Sequence, residues 1–154
     1  MMRTWVLAFS LCFGFPFGLL ATEAPYGEWK FVELIYQGQR LPLPNPSLNM
    51  RWTFFPNGVS RLYWDRGTTG FCERWAYFKI EPQNEGPDLL YEKVFNVNPR
   101  NEMSCAQDPD MQLHKETRTP FDLQGSEMHL HFPLGDEQLT YVLKHPALRP
   151  QESL

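Results

Sequence analysis

The stretch that decides the fold is Gly27-Glu28-Trp29-Lys30-Phe31-Val32-Glu33-Leu34-Ile35-Tyr36, which follows an apolar N-terminal segment. Aromatic and β-branched residues dominate this stretch, and such residues favour strands. Gln37-Gly38-Gln39 then supplies residues that are typical of a turn. The sequence therefore predicts that the folded part of the chain begins with a strand in which a glycine stands two positions before a tryptophan.

About seven further short runs of the same kind follow, and turn residues separate them. We expect strands at 50–55, 59–64, 71–80, 89–97, 128–132 and 138–145, with 111–118 as another strand and 120–123 as a further strand or its bent continuation. The prolines of 41–46 instead predict a loop that crosses one mouth of a barrel. Because no amphipathic helix stands out, we expect an all-β fold: a single eight-stranded, up-and-down antiparallel barrel.

This order of features resembles the lipocalin family and its small, lipocalin-like (calycin-type) bacterial relatives. The resemblance rests on the Gly27-x-Trp29 opening, the Phe54-Phe55-Pro56-Asn57-Gly58 hairpin, and the segments 121–125 and 139–141 near the end. The Thr-Asp-Tyr type signature of the larger lipocalins is absent. The resemblance implies a barrel that can hold one small ligand.

The resemblance also implies a role for Gly27 and Trp29 at one end of the barrel. The indole would close that end beneath a basic residue near the end of the last strand, and Lys144 is better placed for this than Arg149. A cation over the ring would add to the burial of the indole. The alternative is that Trp29 is an ordinary core aromatic, since large apolar residues at strand starts usually serve packing.

The chain begins with a leader that is typical of exported proteins. Arg3 precedes an uncharged apolar run that ends in the small residue Ala21. Cleavage after Ala21 is preferred to cleavage after Ala24, because Pro25 would follow the second cut. An uncleaved membrane anchor is the alternative, but the apolar run is short and is interrupted by glycine and proline.

These observations predict the organisation and location of the protein. We expect a signal peptide at 1–21, one barrel domain at 25–146 and a loose tail at 147–154, in a secreted or periplasmic protein that meets the membrane only through its leader before cleavage. The formal charge of −4 and the lack of a Lys/Arg cluster argue against a nucleic-acid partner.

Two cysteines, Cys72 and Cys105, remain once the leader is removed, because Cys12 lies within it. An even number of cysteines in an exported chain favours a disulfide. Closing the loop between them would contribute on the order of 3 to 4 kcal/mol. A redox or metal-binding pair is the alternative, but no C-x-x-C spacing supports it.

Two functions from different classes fit a small exported barrel. The first is a carrier that holds a small hydrophobic molecule or lipid inside the barrel, without a cofactor. The candidate ligand-binding residues are Trp52, Phe54, Phe78, Phe95 and Leu130. The second is an interaction or structural module of the cell envelope, whose barrel is filled by its own rings and which binds partners through exposed aromatics.

A metal site at His129 and His131 is a further alternative. Residues two apart on a strand emerge on one face about 6.5 to 7 Å apart, and His114 or Glu127 could supply a third ligand. No third ligand stands at short spacing, however, and Met128, Leu130 and Phe132 alternate with the two histidines. We therefore expect the histidines to form the polar outer face of a strand, with no metal.

Catalytic patterns are equally weak. None of the serines at 47, 60, 104 and 126 lies in a Gly-x-Ser-x-Gly elbow. Glu73 and Arg74 are adjacent, so their side chains point to opposite faces of a strand, and we interpret them as solvated surface charges, as we do Asp65 and Arg66. We therefore expect a protein that is not an enzyme.

Overall fold

The computed structural model describes residues 24–146, so the expected signal peptide (1–21) and the expected tail (147–154) lie outside the described residues. The described chain contains no helix longer than a short 3-10 turn. Its nine strands are β1 (Gly27–Tyr36), β2 (Gln39–Pro42), β3 (Arg51–Phe55), β4 (Val59–Asp65), β5 (Phe71–Glu81), β6 (Asp88–Val97), β7 (Glu116–Gln124), β8 (Glu127–Leu134) and β9 (Glu137–Lys144).

Eight of these strands form a closed antiparallel barrel. From β3 to β9 each strand pairs with the next, β1 pairs with β3, and β9 pairs back with β1 from Lys30 opposite Lys144 to Tyr36 opposite Leu139. The ninth strand, β2, pairs with the second half of β1, on the edge whose first half is taken by β3. The predicted all-β, eight-stranded, up-and-down barrel is therefore confirmed.

Two strand boundaries differ from those expected, the end of β2 and the start of β7. Pro42 ends β2 at the edge of the sheet, so the segment expected to be only a loop contains a short strand. β7 begins only at Glu116, whereas the sequence predicts a strand from 111, where a 3-10 turn ends. Pro120 lies within this one strand, which agrees with the expected alternative of a bent continuation. It stands opposite Leu89 of β6, and pairing with β8 begins only at Phe121, so the proline lies where β7 pairs with a single neighbour.

The two ends of the barrel are built differently. The end at which β1 begins and β3 ends is called the floor here, and the opposite end is called the mouth. Three 3-10 turns, at 67–69, 103–107 and 109–111, lie in the connections at the mouth. There a disulfide joins Cys72 at the start of β5 to Cys105, with 5.6 Å between the Cα atoms. The expected bridge is thus confirmed.

Between residues 24 and 146, no helix has the length and apolar character needed to cross a lipid bilayer.

Candidate ligand-binding cavity

A cavity of about 480 Å³ lies inside the barrel, toward the mouth. Most of its lining is apolar and comes from Phe31, Met50, Trp52, Leu62, Leu130, Phe132, Pro133, Leu134, Leu139 and Tyr141. The remaining lining residues are polar or charged: Arg74, Glu92, Asp110, Lys115, Thr117 and Thr119. The interior is therefore a mainly apolar chamber with a few polar groups, which is the usual composition of a small-molecule site.

The alternation of side chains along each strand explains this lining. In β3, Trp52 and Phe54 are buried while the residues between and beside them are only half-buried. In β6 the inward set is Leu90, Glu92 and Val94. Because successive side chains point to opposite faces, a single charged residue in such an inward set is carried into the interior.

Glu92 is the centre of a polar cluster that draws on four consecutive strands. Its Oε1 accepts hydrogen bonds from Trp52 Nε1 (3.2 Å) and from the Ser60 hydroxyl. Arg74 donates from Nη2 to Oε2 (2.8 Å) and from Nη1 to Oε1 (3.4 Å). The carboxylate thus has partners on β3, β4 and β5, and each of these side chains is buried.

The ion pair at this centre is costly to bury. The side chains of Arg74 and Glu92 are only 4% and 2% exposed. Removing two charges from water costs several kcal/mol per ion, so a buried pair often stabilises a fold no better than apolar residues would. The guanidinium also lies 5.6 Å from the centre of the Trp52 ring, where the ring contributes a modest attraction. A charged pair in the wall of a cavity is therefore a candidate for function rather than for stability.

The structure separates the five expected ligand-binding residues. Trp52 and Leu130 line the cavity. Phe54 and Phe78 lie below it, in the packed floor, with their ring centres 5.0 Å apart. Phe95 was expected inside the barrel, but it is 37% exposed and stacks on the exposed ring of Tyr77. It alternates with the inward residues of β6, so its side chain points outward.

The floor is organised around Trp29, as the Gly-x-Trp opening suggests. Trp29 is 3% exposed, and its Nε1 donates to the Pro25 carbonyl oxygen at 2.8 Å. The ring that lies over the indole is that of His145, with 3.9 Å between the ring centres. Gly27 makes room for this ring, because a Cβ added there would stand 2.7 Å from His145 Cε1.

The expected role of Lys144 is wrong. Lys144 precedes His145 and stands opposite Lys30 in the barrel register. Leu143 takes the inward position, so Lys144 points outward, where its Nζ lies 3.1 Å from Glu127 Oε1. The residue over Trp29 is therefore the first one after the strand, which the alternation within β9 does not constrain.

The two histidines of β8 each have a carboxylate partner. His129 Nε2 lies 2.9 Å from Glu127, and His131 Nε2 lies 2.7 Å from Asp122. Within 24–146, no three histidine, cysteine or acidic side chains are grouped so that they could hold a metal ion. The other ring nitrogen of His131 lies 2.9 Å from the Thr140 hydroxyl. Asp122, His131 and Thr140 thus follow the order of acid, base and nucleophile in a catalytic triad. Thr140 is only 4% exposed, however, so a substrate cannot reach its hydroxyl group.

Sequence reasoning missed the polar cluster. Glu73 and Arg74 are not the solvated surface charges that the sequence predicts, because they are only 7% and 4% exposed. Arg74 shares its face of β5 with Cys72 and Ala76, and that alternation was the signal available. Glu73 lies on the other face, where it is an acceptor for Arg61 of β4 and Asn98.

Comparison with known proteins supports the fold. No protein-family model and no curated protein matches the chain. A solved structure of a lipocalin-like protein from Bacteroides uniformis is similar, with a TM-score of 0.51, 10% identity, and coverage of 79% of this chain and 97% of that one. An uncharacterized protein from Bacteroides eggerthii is similar too, with a TM-score of 0.51, 14% identity, and coverage of 78% and 98%. The fold is therefore lipocalin-like, and at these identities the likeness concerns the fold alone.

Proposed function

We propose that this protein is an exported, lipocalin-like binding protein that holds a small hydrophobic ligand inside its barrel. The observation that carries the proposal is the cavity of about 480 Å³. Its volume lies within the range of about 300 to 1,000 Å³ that is typical of small-molecule sites. Rings and aliphatic side chains on the side of the barrel formed by β8, β9, β1, β3 and β4 supply the apolar contacts, and the polar lining residues come from β5, β6, β7 and the connection between β6 and β7.

The polar residues of the cavity favour binding over catalysis in this proposal. Arg74 is paired with Glu92, and Lys115 Nζ lies 3.5 Å from Asp110 Oδ1. Groups that are committed to each other can orient a ligand through their remaining donors. The proposal therefore assigns these residues to the recognition of a ligand, and no reaction is proposed.

The disulfide supports the export part of the proposal. Disulfides form and persist in oxidising compartments, and Cys72 and Cys105 are both at most 2% exposed. Together with the signal-like leader, this favours a secreted or periplasmic location. Mass spectrometry of the purified protein tests it, since cleavage after Ala21 leaves Thr22 as the first residue.

The alternative of a filled barrel has one observation in its favour. Tyr77 and Phe95 form a stacked pair on the outer surface, with 4.4 Å between ring centres, and they are 55% and 37% exposed. A pair of this kind suits a contact with another protein. The interior, however, is filled only at the floor, so the carrier is the function that the geometry favours.

Binding can be tested with a fluorescent apolar probe, N-phenyl-1-naphthylamine, and the protein purified from its exported compartment. Because Trp52 lines the cavity, a probe inside the barrel should accept its excitation energy as well as brighten. Thr117→Trp adds an indole to the cavity wall and should weaken binding at least about tenfold. Glu116→Trp is the matched control, because Glu116 is the outward neighbour and its ion pair with Lys93 is half exposed.

The outcomes separate carrier from filled module. Saturable binding that Thr117→Trp weakens and Glu116→Trp leaves unchanged supports the carrier. Native mass spectrometry that detects a lipid or other apolar small molecule on the wild-type protein would identify the ligand. Probe binding that both variants tolerate equally would place the probe on the surface and would contradict the proposal.

A further inference from the structure

One nitrogen of the Arg74 guanidinium, Nε, takes no part in the polar cluster. Nη1 and Nη2 both bind Glu92, but Nε has no hydrogen-bond partner. Among the described residues it is the one buried side-chain nitrogen or oxygen in this condition. A buried donor without an acceptor costs about 1 to 3 kcal/mol, more for a charged group, so its persistence needs an explanation.

The position of this donor supplies an explanation. Arg74 lines the cavity, beside Trp52 and Leu62. Leu62 stands directly opposite Arg74 in the register of β4 and β5 and can offer no acceptor from its side chain. No group of the described residues accepts from this nitrogen, and Arg74 borders the cavity, so the cavity is the space from which an acceptor could approach it.

The charges around the cavity restrict the chemistry of that acceptor. The charge of Arg74 is already balanced by Glu92, and the charge of Lys115 is balanced by Asp110. A ligand carboxylate would add a third anion to two balanced pairs and would meet the buried Glu92 at short range. Thr117, which stands opposite Glu92 in the register, and Thr119 add only uncharged hydroxyl groups to the lining.

We propose that the ligand is an apolar molecule with one uncharged hydrogen-bond acceptor, such as a ketone, ester or amide carbonyl, which accepts from Arg74 Nε. This inference rests on the proposed function, because it names the chemical class of the ligand in the same cavity. It distinguishes the site from one that is built for free carboxylates, in which a cation without an internal partner would be expected.

Three probes of nearly the same shape test this inference on the wild-type protein. They are 2-acetylnaphthalene (an uncharged acceptor), 2-isopropylnaphthalene (no acceptor) and 2-naphthoate (a charged acceptor), each displacing N-phenyl-1-naphthylamine. The ratio of the dissociation constants of the hydrocarbon and the ketone gives the preference of the cavity for the ketone. This preference is compared with the ratio of the partition coefficients of the two probes between water and an alkane. We expect the cavity to favour the ketone at least about tenfold more than the alkane does, because only the cavity offers a donor.

A variant locates the donor. Arg74→Lys keeps a cation beside Glu92 but has no guanidinium Nε, so the preference for the ketone should fall about tenfold. Arg61→Lys is the matched control on the outer face of β4, and it should leave the preference unchanged. If Arg74→Lys does not fold, the double variant Thr117→Val with Thr119→Val removes the two hydroxyl donors of the lining, and loss of the ketone preference in that variant would overturn the role of Nε.

Each result has a distinct meaning. If no probe binds, the proposed function fails. If all probes bind according to alkane partition, the function stands and the inference is overturned. Tightest binding of 2-naphthoate would overturn the uncharged acceptor, and a ketone preference that survives Arg74→Lys would overturn the role of Nε.

Discussion

The floor and the mouth half of this barrel solve the problem of filling a small β-barrel in opposite ways. At the floor, the ring of Phe54 packs against that of Phe78 and the ring of Trp29 against that of His145, and the one indole donor of Trp29 is satisfied by the Pro25 carbonyl oxygen. In the mouth half the chain places Arg74 and Glu92 beside a cavity instead. One end therefore follows the rules of a protein core, and the other follows those of a binding site.

This difference indicates where stability and function reside. Apolar burial at the floor is favourable without further conditions, at about 25 cal/mol for each Å² removed from water. In the mouth half, the buried charges are acceptable only as a matched pair, and the disulfide fastens the connection between β6 and β7 to β5. The two halves should accordingly respond differently to mutation.

The largest effect is expected from breaking the matched pair. Glu92→Leu leaves the Arg74 charge buried without its acceptor, so the free energy of unfolding should fall by about 3 to 5 kcal/mol. The double variant Arg74→Met with Glu92→Leu removes both charges and should lose much less, so that the effects of the single changes do not add. Urea unfolding measures both. A double variant as unstable as the single one would mean that the pair stabilises the fold.

The disulfide should have the next largest effect, and a local one. Replacing Cys72 and Cys105 together with alanine should cost about 3 to 4 kcal/mol, because the unfolded chain regains the freedom of a long loop. Hydrogen exchange should show lost protection first in the segment 98–115 at the mouth, while β3 and the start of β1 stay protected. Uniform loss of protection at both ends would contradict this division of the barrel.

A smaller effect is expected at the floor from Gly27→Ala. Gly27 has φ of +106°, and an added methyl group would meet the His145 ring at 2.7 Å, so we expect a loss of about 1 to 3 kcal/mol. Combined with His145→Ala, the clash disappears and only the backbone strain remains. Gly38→Ala is the matched control, since φ is +73° there and nothing stands within 4 Å. Equal losses at Gly27 and Gly38 would show that His145 does not pack over Trp29 as described.

The floor was the more predictable half from sequence. Apolar residues alternate in β3 and β4, and turn residues such as Asn57 and Gly58 separate the strands, so the eight strands of the barrel followed from local patterns, although the short edge strand β2 did not. Cys72 and Cys105 were predictable as a disulfide because an even number of cysteines in an exported chain favours pairing. The ring that packs over Trp29 was not predictable, because His145 lies beyond the last residue of β9, where the alternation of side chains no longer applies.

The mouth half was less predictable because its decisive residues break the pattern. Glu92 stands among apolar residues in the inward set of β6, and a lone acidic residue in a strand is ordinarily assigned to the surface. Its partner Arg74 lies on another strand, so local spacing could not reveal the pair. Phe95 is the opposite case, because its large apolar ring predicts an interior position while alternation in β6 points its side chain outward.

The smallest effect is expected on the outer surface, where Glu127 joins three strands. Its carboxylate lies 2.7 Å from Arg40 of β2 and also contacts His129 of β8 and Lys144 of β9. Hydrogen bonds from Arg40, then His129 and Lys144, hold the pKa of Glu127 well below its usual value of 4.5. At neutral pH Glu127→Gln should cost less than about 1 kcal/mol, because Arg40 is half exposed and its attraction is screened by water.

The pH dependence of the free energy of unfolding tests the contact between Arg40 and Glu127 more sharply than the small loss at neutral pH does. As the pH falls below about 4.5, the unfolded chain takes up a proton at Glu127 while the folded chain does not, so the free energy of unfolding decreases. The Glu127→Gln variant has no carboxylate at this position to take up a proton, so its free energy of unfolding should fall less between about pH 4.5 and pH 2. Glu85→Gln, in an exposed turn, controls for the loss of one carboxylate. If acid unfolding of Glu127→Gln overlays the wild type at low salt, then Arg40 does not hold this carboxylate, and the outer surface does not join β2 to the rest of the barrel.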